Sequence, residues 1–210
     1  MKQISQYFLI ALLIAAFQLR DVNLFAQSKF ANSKGSISLT YSGLGTNYAI
    51  FFESIDGGGA YESNGYNSFG ITYVRPITSR IDIETGISYS KYKYIFSNAS
   101  LGPEGPIPYE VLNTIIDIPL IVRWSFLKHF FLNGGLSLGF DTEKENHLDN
   151  QTGIGTIIGA GAKYDINNVP IGLFINPFYK IHSLIPFQKE GYHRRALENG
   201  IRFGFVYYIR

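Results

Sequence analysis

The C-terminal segment Glu198–Arg210 alternates between two kinds of side chain, residue by residue. One face is apolar and aromatic and consists of Ile201, Phe203, Phe205, Tyr207 and Ile209. The other face carries mainly glycine and charge. A period of two indicates a β-strand. An unbroken apolar face opposite such a polar face is typical of a strand that has lipid on one side and a packed barrel lumen on the other.

The same alternation occurs in seven earlier segments. With the C-terminal one, the predicted strands are 33–42, 66–75, 80–96, 113–126, 128–141, 152–164, 169–182 and 198–210. Short connections (76–79, 125–127 and 165–168) alternate with long ones (43–65, 97–112, 142–151 and 183–197). This organisation predicts an all-β fold, an eight-stranded antiparallel up-and-down transmembrane β-barrel. Short turns and both termini are then expected in the periplasm, and the long loops outside.

A soluble sandwich or lipocalin-like barrel is the alternative fold. Aromatic residues at both ends of the apolar face favour the membrane barrel, because such belts mark the two membrane interfaces. They include Trp124, Tyr164 and Tyr207 near the short turns, and Tyr89 and Phe140 near the long loops. The chain has no cysteine, which excludes a lipidated cysteine, disulfides and thiol catalysis. A net charge of +2 gives no indication of nucleic-acid binding.

Residues 1–26 have the features of a secretory signal peptide. Lys2 precedes an apolar run from Tyr7 to Phe17, and Ala26 ends a plausible cleavage site. The run is about half the length that a spanning helix requires. We therefore expect residues 27–210 to form the barrel domain, inserted in the bacterial outer membrane after cleavage.

Several motifs in the predicted barrel wall are similar to those of a known family. Asp117-Ile-Pro-Leu-Ile-Val-Arg-Trp124, Phe131-Leu-Asn-Gly-Gly135 and Gly159-Ala-Gly-Ala-Lys-Tyr164 resemble the PorT-like outer-membrane β-barrel family of Bacteroidetes-type bacteria. The resemblance implies an outer-membrane location more than an activity, since the family contains type IX secretion components and barrels of unknown role. The tail also resembles the signal that the barrel-assembly machinery reads.

Charged residues of both signs lie on the predicted lumen face. An eight-stranded barrel is only wide enough for its own side chains, and unpaired buried charge is costly. We therefore predict a lumen ion pair between Arg123 and either Asp82 or Glu84, and no solute channel. A catalytic or proton-relay role for Asp82, Glu84, Asp117 and Arg123 is the alternative.

Two predicted loops have opposite charge. Acidic residues and one histidine alternate in the third loop: Asp141, Glu143, Glu145, His147 and Asp149. If the fifth strand continues above the membrane, these side chains share one face, as oxygen ligands for a cation such as calcium would. A solvated acidic hairpin is the favoured interpretation, because calcium loops also use turns and backbone carbonyls. The basic fourth loop, with Lys189, Arg194 and Arg195, is expected to contact lipopolysaccharide phosphate, the acidic loop or an envelope partner.

The predicted function is non-enzymatic and requires no cofactor. The barrel presents four extracellular loops and serves envelope structure, adhesion, or a secretion or surface-assembly complex as an accessory. The alternatives are a lipid-modifying enzyme and a transporter of small hydrophobic molecules. His182 and Ser183 invite the enzyme interpretation, but adjacent residues of a regular strand face opposite sides, so we expect no lipid-facing pair.

Overall fold

The fold is a closed ring of eight antiparallel strands, seen in a computed structural model that describes residues 33–52, 60–97, 108–143, 148–188, 191 and 193–209. Each strand pairs with its neighbours in sequence, and the first pairs with the last. The predicted signal segment 1–26 lies outside the described residues. The strands are β1 (Gly35–Ile50), β2 (Ala60–Pro76), β3 (Ile81–Ser97), β4 (Pro108–Phe126), β5 (Phe130–Asp141), β6 (Gly153–Asp165), β7 (Ile171–Pro186) and β8 (Arg195–Ile209). The predicted eight-stranded up-and-down barrel is confirmed.

The barrel is apolar outside and polar inside. Leu136 is 53% exposed on the outer wall, whereas the next residue, Ser137, is 2% exposed in the lumen. The same alternation holds along the other strands, as in a transmembrane barrel and opposite to a soluble one. Exposed aromatic residues lie near both rims, among them Trp124, Tyr164 and Tyr207 at one end and Tyr89 and Tyr179 at the other. No helix in the described part of the chain has the length and apolarity to cross a membrane.

The strands are longer than predicted at the rim that carries the long connections, here called the long-loop rim. The observed connections there are 51–59, 98–107, 142–152 and 187–194. Residues 43–50 and 60–65 were expected in a loop, because glycine, serine and asparagine favour turns. Both segments instead continue the ladder, and the lumen at this height is filled by tyrosines that pack against one another. Pro108 is accommodated as the first residue of β4, a position where proline is tolerated.

A bulge in β7 changes which way its side chains face. The β6–β7 register shifts between Ile154 and Thr156, and Ser183 on the bulged strand has a φ of 47°. A bulge interrupts the strict alternation of a strand. His182 and Ser183 are consequently both buried, each 1% exposed. The expectation that these neighbours face opposite sides is wrong at this position.

Candidate functional site

The lower lumen, nearer the short turns, is filled by a cluster of three charged residues. Glu84 of β3 is fully buried and accepts hydrogen bonds from two guanidinium groups. Arg123 donates to Oε2 of this carboxylate, and Arg202 donates to Oε1 over 3.0 Å. Asp82 lies directly opposite Arg123 in the β3–β4 register, but it is only half-buried and forms no salt bridge within the described residues. Of the predicted partners, the structure therefore brings Arg123 together with Glu84.

Amides and aromatic rings hold the two arginines. Arg202 Nη2 donates to Asn176 Oδ1 over 2.9 Å, and Asn176 Nδ2 donates to Asn133 Oδ1 over 3.0 Å. The guanidinium of Arg123 lies 4.4 Å from the ring centroid of Phe131. Two arginines share one carboxylate, so the cluster has a formal charge of +1. The aromatic ring faces partly offset that excess, because they attract cations.

A second polar cluster occupies the upper lumen and connects four strands. Lys180 Nζ lies 2.6 Å from Asp117 Oδ2, and His182 Nδ1 lies 3.5 Å from the other oxygen of Asp117. On its opposite side, His182 Nε2 is 2.8 Å from the hydroxyl oxygen of Tyr92. Tyr92 in turn donates to Glu198 Oε2 over 2.5 Å. All five side chains are buried, so this polar network is part of the packing of the lumen.

The alternation of the strands predicts that several of these residues face the lumen, but it does not predict which of them contact one another. Tyr92 and His182 are 90 residues apart, and Arg202 and Glu84 are 118 apart. The alternation of each strand gives the direction of a side chain, but the partner across the lumen depends on how the ring closes. For Arg202 and Glu198, the sequence indicates only that both lie on the lumen face of the last strand.

Little space separates the two clusters. A cavity of about 40 Å³ lies between them, lined by hydroxyl-bearing residues such as Thr72 and Ser137 together with Lys180, Glu198 and Arg202. A cavity of this size holds a few water molecules and no larger solute. A second cavity, of about 80 Å³, opens at the short-turn rim and includes Asp82 and Arg123 in its lining.

The long-loop mouth is closed by packed aromatic residues and a loop. Tyr66, Tyr92 and Tyr94 form a buried cluster with apolar residues of β4 and β8. Leu148, from the connection between β5 and β6, inserts into this cluster and is 1% exposed. The third connection thus supplies part of the core of the mouth.

Hydrogen bonds fasten the third connection to the fourth. The Arg194 amide donates to Asp149 Oδ2 over 2.5 Å. Gln151, which is fully buried, donates from Nε2 to the Arg194 carbonyl and accepts from the Ala196 amide, each over 2.8 Å. Within the described residues, the two connections form a single cap over the mouth.

Of the predicted cation ligands that the structure describes, only Asp141 lies in a strand, because β5 ends there, so Glu143 and Asp149 do not continue one strand face. The Asp141 carboxylate accepts hydrogen bonds from Asn113 Nδ2 and from the amides of Glu143 and Gln151, each over 3.0 Å. Of the other two acids of the set that the structure describes, Glu143 follows the end of β5 and Asp149 forms the cap contact. Glu145 and His147 lie outside the described residues. No group of metal-ligating side chains occurs in the part of the chain that is described.

The predicted basic contact residues stack on aromatic rings at the rim. The guanidinium of Arg194 lies 5.0 Å from the ring centroid of Phe51 and 5.1 Å from that of Tyr61. The guanidinium of Arg195 lies 4.3 Å from the ring centroid of Phe52. Lys189 lies outside the described residues. The two arginines are half-buried, so they are integral parts of the rim as well as surface cations.

A serine and a histidine meet beneath the cap. Ser183 Oγ lies 3.2 Å from His193 Nε2, and both side chains are buried. A hydroxyl and an imidazole at this distance are the elements of a nucleophile and its base. Their place inside the closed mouth, however, differs from the lipid-facing surface where a lipid-modifying enzyme meets its substrate.

A closed barrel with an apolar outer wall, aromatic belts and a filled polar lumen is the architecture of an outer-membrane β-barrel protein. The sequence pattern of the family described as Outer membrane protein beta-barrel domain matches residues 25–176, and the chain belongs to that family. It is therefore a protein of the bacterial outer membrane.

Among solved structures, the chain is similar to that of the outer membrane protein OprG from Pseudomonas aeruginosa. The similarity has a TM-score of 0.41 and 10% sequence identity, and it covers 85% of this chain and 97% of that chain. No curated protein matches the sequence.

Proposed function

We propose that the protein is a non-enzymatic, non-conducting outer-membrane barrel that acts through its long-loop rim. Its role is in envelope structure, in adhesion, or as an accessory of a secretion or surface-assembly complex. The observation that carries this proposal is the filling of the lumen by three clusters: the Glu84 cluster, the Asp117 cluster and the tyrosine cluster under its loop cap. A lumen packed in this way leaves the outer surfaces to carry the function.

The proposed orientation places the short turns and both termini in the periplasm, after removal of residues 1–26. Its support is the general rule that short turns of bacterial barrels face the periplasm. Assignment to the PorT-like family and recognition of the C-terminal strand by the barrel-assembly machinery belong to the same proposal. Their support is the set of wall motifs and the alternating tail.

The long-loop rim has the composition of a contact surface. Phe52, Tyr109 and Phe187 are 57%, 47% and 56% exposed and come from three different connections or strand ends. Aromatic residues and arginine dominate the binding energy of protein interfaces. Arg195 stacks on Phe52, and Arg194 stacks on two other rings of this rim, Phe51 and Tyr61. Lys189 belongs to the same connection as Arg194. An envelope protein or the phosphate groups of lipopolysaccharide are the proposed partners.

The first experiment measures conductance of the purified barrel in planar lipid bilayers. We expect no stable single-channel steps, because the charge clusters and the cap block the axis. A reproducible conductance through single barrels would overturn the proposal in favour of a channel.

The second experiment tests the rim and the orientation. Phe52→Ser, Tyr109→Ser and Phe187→Ser together should reduce cross-linking to envelope partners, while Ile77→Ser leaves it unchanged, since Ile77 is 53% exposed at the opposite rim. The chain has no cysteine, so Phe187→Cys reports orientation by labelling of intact cells with an impermeant reagent. Labelling of a cysteine at Ile77 instead would invert the proposed orientation.

A further inference from the structure

The outer wall of β1 to β4 contains an apolar groove of about 440 Å³. It runs between two rows of residues that are paired across adjacent strands: Leu39, Ile71 and Ile87 form one row, and Phe69, Tyr89 and Ile116 form the other. Its main lining residues are Leu39, Phe69, Ile71, Ile87, Tyr89 and Ile116. The volume lies within the range of ligand pockets, and the lining is almost entirely apolar. The wall is therefore indented where it meets lipid.

Two lysines stand directly above this groove on the same face of β3. Lys91 and Lys93 follow Ile87 and Tyr89 at intervals of two, so all four side chains point outward. Lys91 is exposed, and no carboxylate of the described residues lies within 4.0 Å of it. Lys93 Nζ lies 4.0 Å from Glu110 Oε1, and both side chains are nearly half exposed. An exposed pair at this distance is weak, so both lysines can serve an anion.

The height of the lysines matches that of a lipid headgroup. Tyr89 belongs to the aromatic belt near the long-loop rim, and such belts lie at the level of the headgroups. Lys91 is the next outward residue above it. Its register partner on β2, Asn67, accepts a hydrogen bond from the Tyr41 hydroxyl over 2.9 Å. Cations and hydrogen-bonding groups therefore lie at the headgroup level, and hydrocarbon-binding surface lies below them.

The geometry points to a binding site for a phosphate-bearing glycolipid of the outer leaflet. An acyl chain occupies the groove, and Lys91 and Lys93 bind the headgroup phosphate. The assignment to the outer leaflet rests on the proposed orientation of the barrel. The site is distinct from the rim arginines, which stack on aromatic rings, and it lies on one side of the barrel. On β7, the outward residues at the long-loop end are Tyr179, Ile181 and Ile185, which carry no charge.

A second copy of the chain fits this wall less well than a lipid does. In a twofold symmetric dimer the same patch faces itself. Lys91 and Lys93 of the two copies would then lie close together, and like charges at an interface are unfavourable. An anionic lipid instead neutralises them.

The test measures retention of purified hexa-acylated, diphosphorylated lipid A on the full-length mature barrel in detergent, by native mass spectrometry. We expect one lipid per barrel, and roughly 30-fold weaker retention by Lys91→Gln/Lys93→Gln, equivalent to about 1 kcal/mol for each lysine at a membrane surface. Lys128→Gln is the matched control, because Lys128 is an exposed lysine at the other rim. Equal retention by the double variant and the wild type would overturn the proposal.

The groove is tested separately from the charges. Ile87→Trp fills it and should lower lipid A retention several-fold, whereas Ile158→Trp, at a residue 67% exposed on the opposite wall, should not. Retention of dephosphorylated lipid A as strong as that of lipid A would overturn the phosphate site. If the wild-type barrel is a dimer and Ile87→Trp makes it monomeric, the groove binds a second copy of the chain and not a lipid, which would overturn the proposal. The assay in detergent is independent of orientation and conductance, so its failure is distinguishable from failure of the proposed function.

Discussion

The Glu84 carboxylate is expected to be a highly sensitive position in the lumen. It is fully buried and holds two arginines, one on each oxygen. Loss of one partner from a buried ion pair costs about 3–5 kcal/mol, because the other charge is left uncompensated. Glu84→Gln leaves the charges of both Arg123 and Arg202 uncompensated, so we expect the free energy of unfolding to fall by about 5 kcal/mol or more. Arg123→Met leaves Glu84 bound to Arg202 and should cost about 3 kcal/mol or less.

The assay is equilibrium urea unfolding of the barrel in lipid vesicles. The single tryptophan, Trp124, is 46% exposed on the lipid face and adjoins Arg123, so its fluorescence reports release from the membrane. Asp82→Asn is the control: Asp82 lies opposite Arg123 in the ladder but forms no salt bridge within the described residues, and its loss should cost less than about 1 kcal/mol. If Asp82→Asn is as harmful as Glu84→Gln, the assignment of the pair is refuted.

Three further predictions concern the wall, the lumen and the cap. Leu136→Arg should cost about 2–4 kcal/mol by placing a charge on the lipid face, and Ser137→Ala should be mild; the reverse result in the same unfolding assay would invert the faces. Gly204→Leu should lower stability by about 1–3 kcal/mol through overpacking, because a side chain there meets the ring of Phe174, and unchanged urea midpoints would contradict that contact. Leu148→Ala should cost about 2–5 kcal/mol and hasten proteolysis of the third connection, whereas equal cleavage rates would show that the cap is not anchored by this residue.

The alternation of side chains was sufficient to predict the barrel wall. It gave the number of strands, their order and the outward face, because the period of two is a local property of each strand. It could not give the strand ends at the long-loop rim. Segments such as 43–50 are locally suited to turns, and their extended conformation depends on the ladder to β8 and on the buried tyrosines. Tertiary contacts therefore override local preference at this rim.

The contacts across the lumen were the least predictable part. Alternation placed Glu84 and Arg123 on the inner face, and their neighbouring strands suggested a pair. Arg202 reaches the same carboxylate only because the last strand closes the ring. The directions of His182 and Ser183 do not follow from alternation, because a bulge is a local departure from the period of two. An odd or even position along a strand determines whether a side chain points inward or outward. The register of the closed ring determines which side chains it meets across the lumen.

With His182 neutral, the two lumen clusters have opposite formal charge, and the electrostatic coupling between them is testable. Glu84 with two arginines amounts to +1, and Lys180 with Asp117 and Glu198 amounts to −1 when His182 is neutral. Arg202 and Glu198 line the same cavity of about 40 Å³, where water screens them far less than bulk solvent does. Arg202→Met removes the +1 charge of the Glu84 cluster, so the −1 charge of the Asp117 cluster is no longer compensated. Adding Glu198→Gln removes that −1 charge. The double variant should accordingly be more stable than the sum of the single losses by at least about 0.5 kcal/mol. Strict additivity in the double-mutant cycle, followed by Trp124 fluorescence, would mean that each cluster is balanced by its own neighbours and that the lumen consists of two independent plugs.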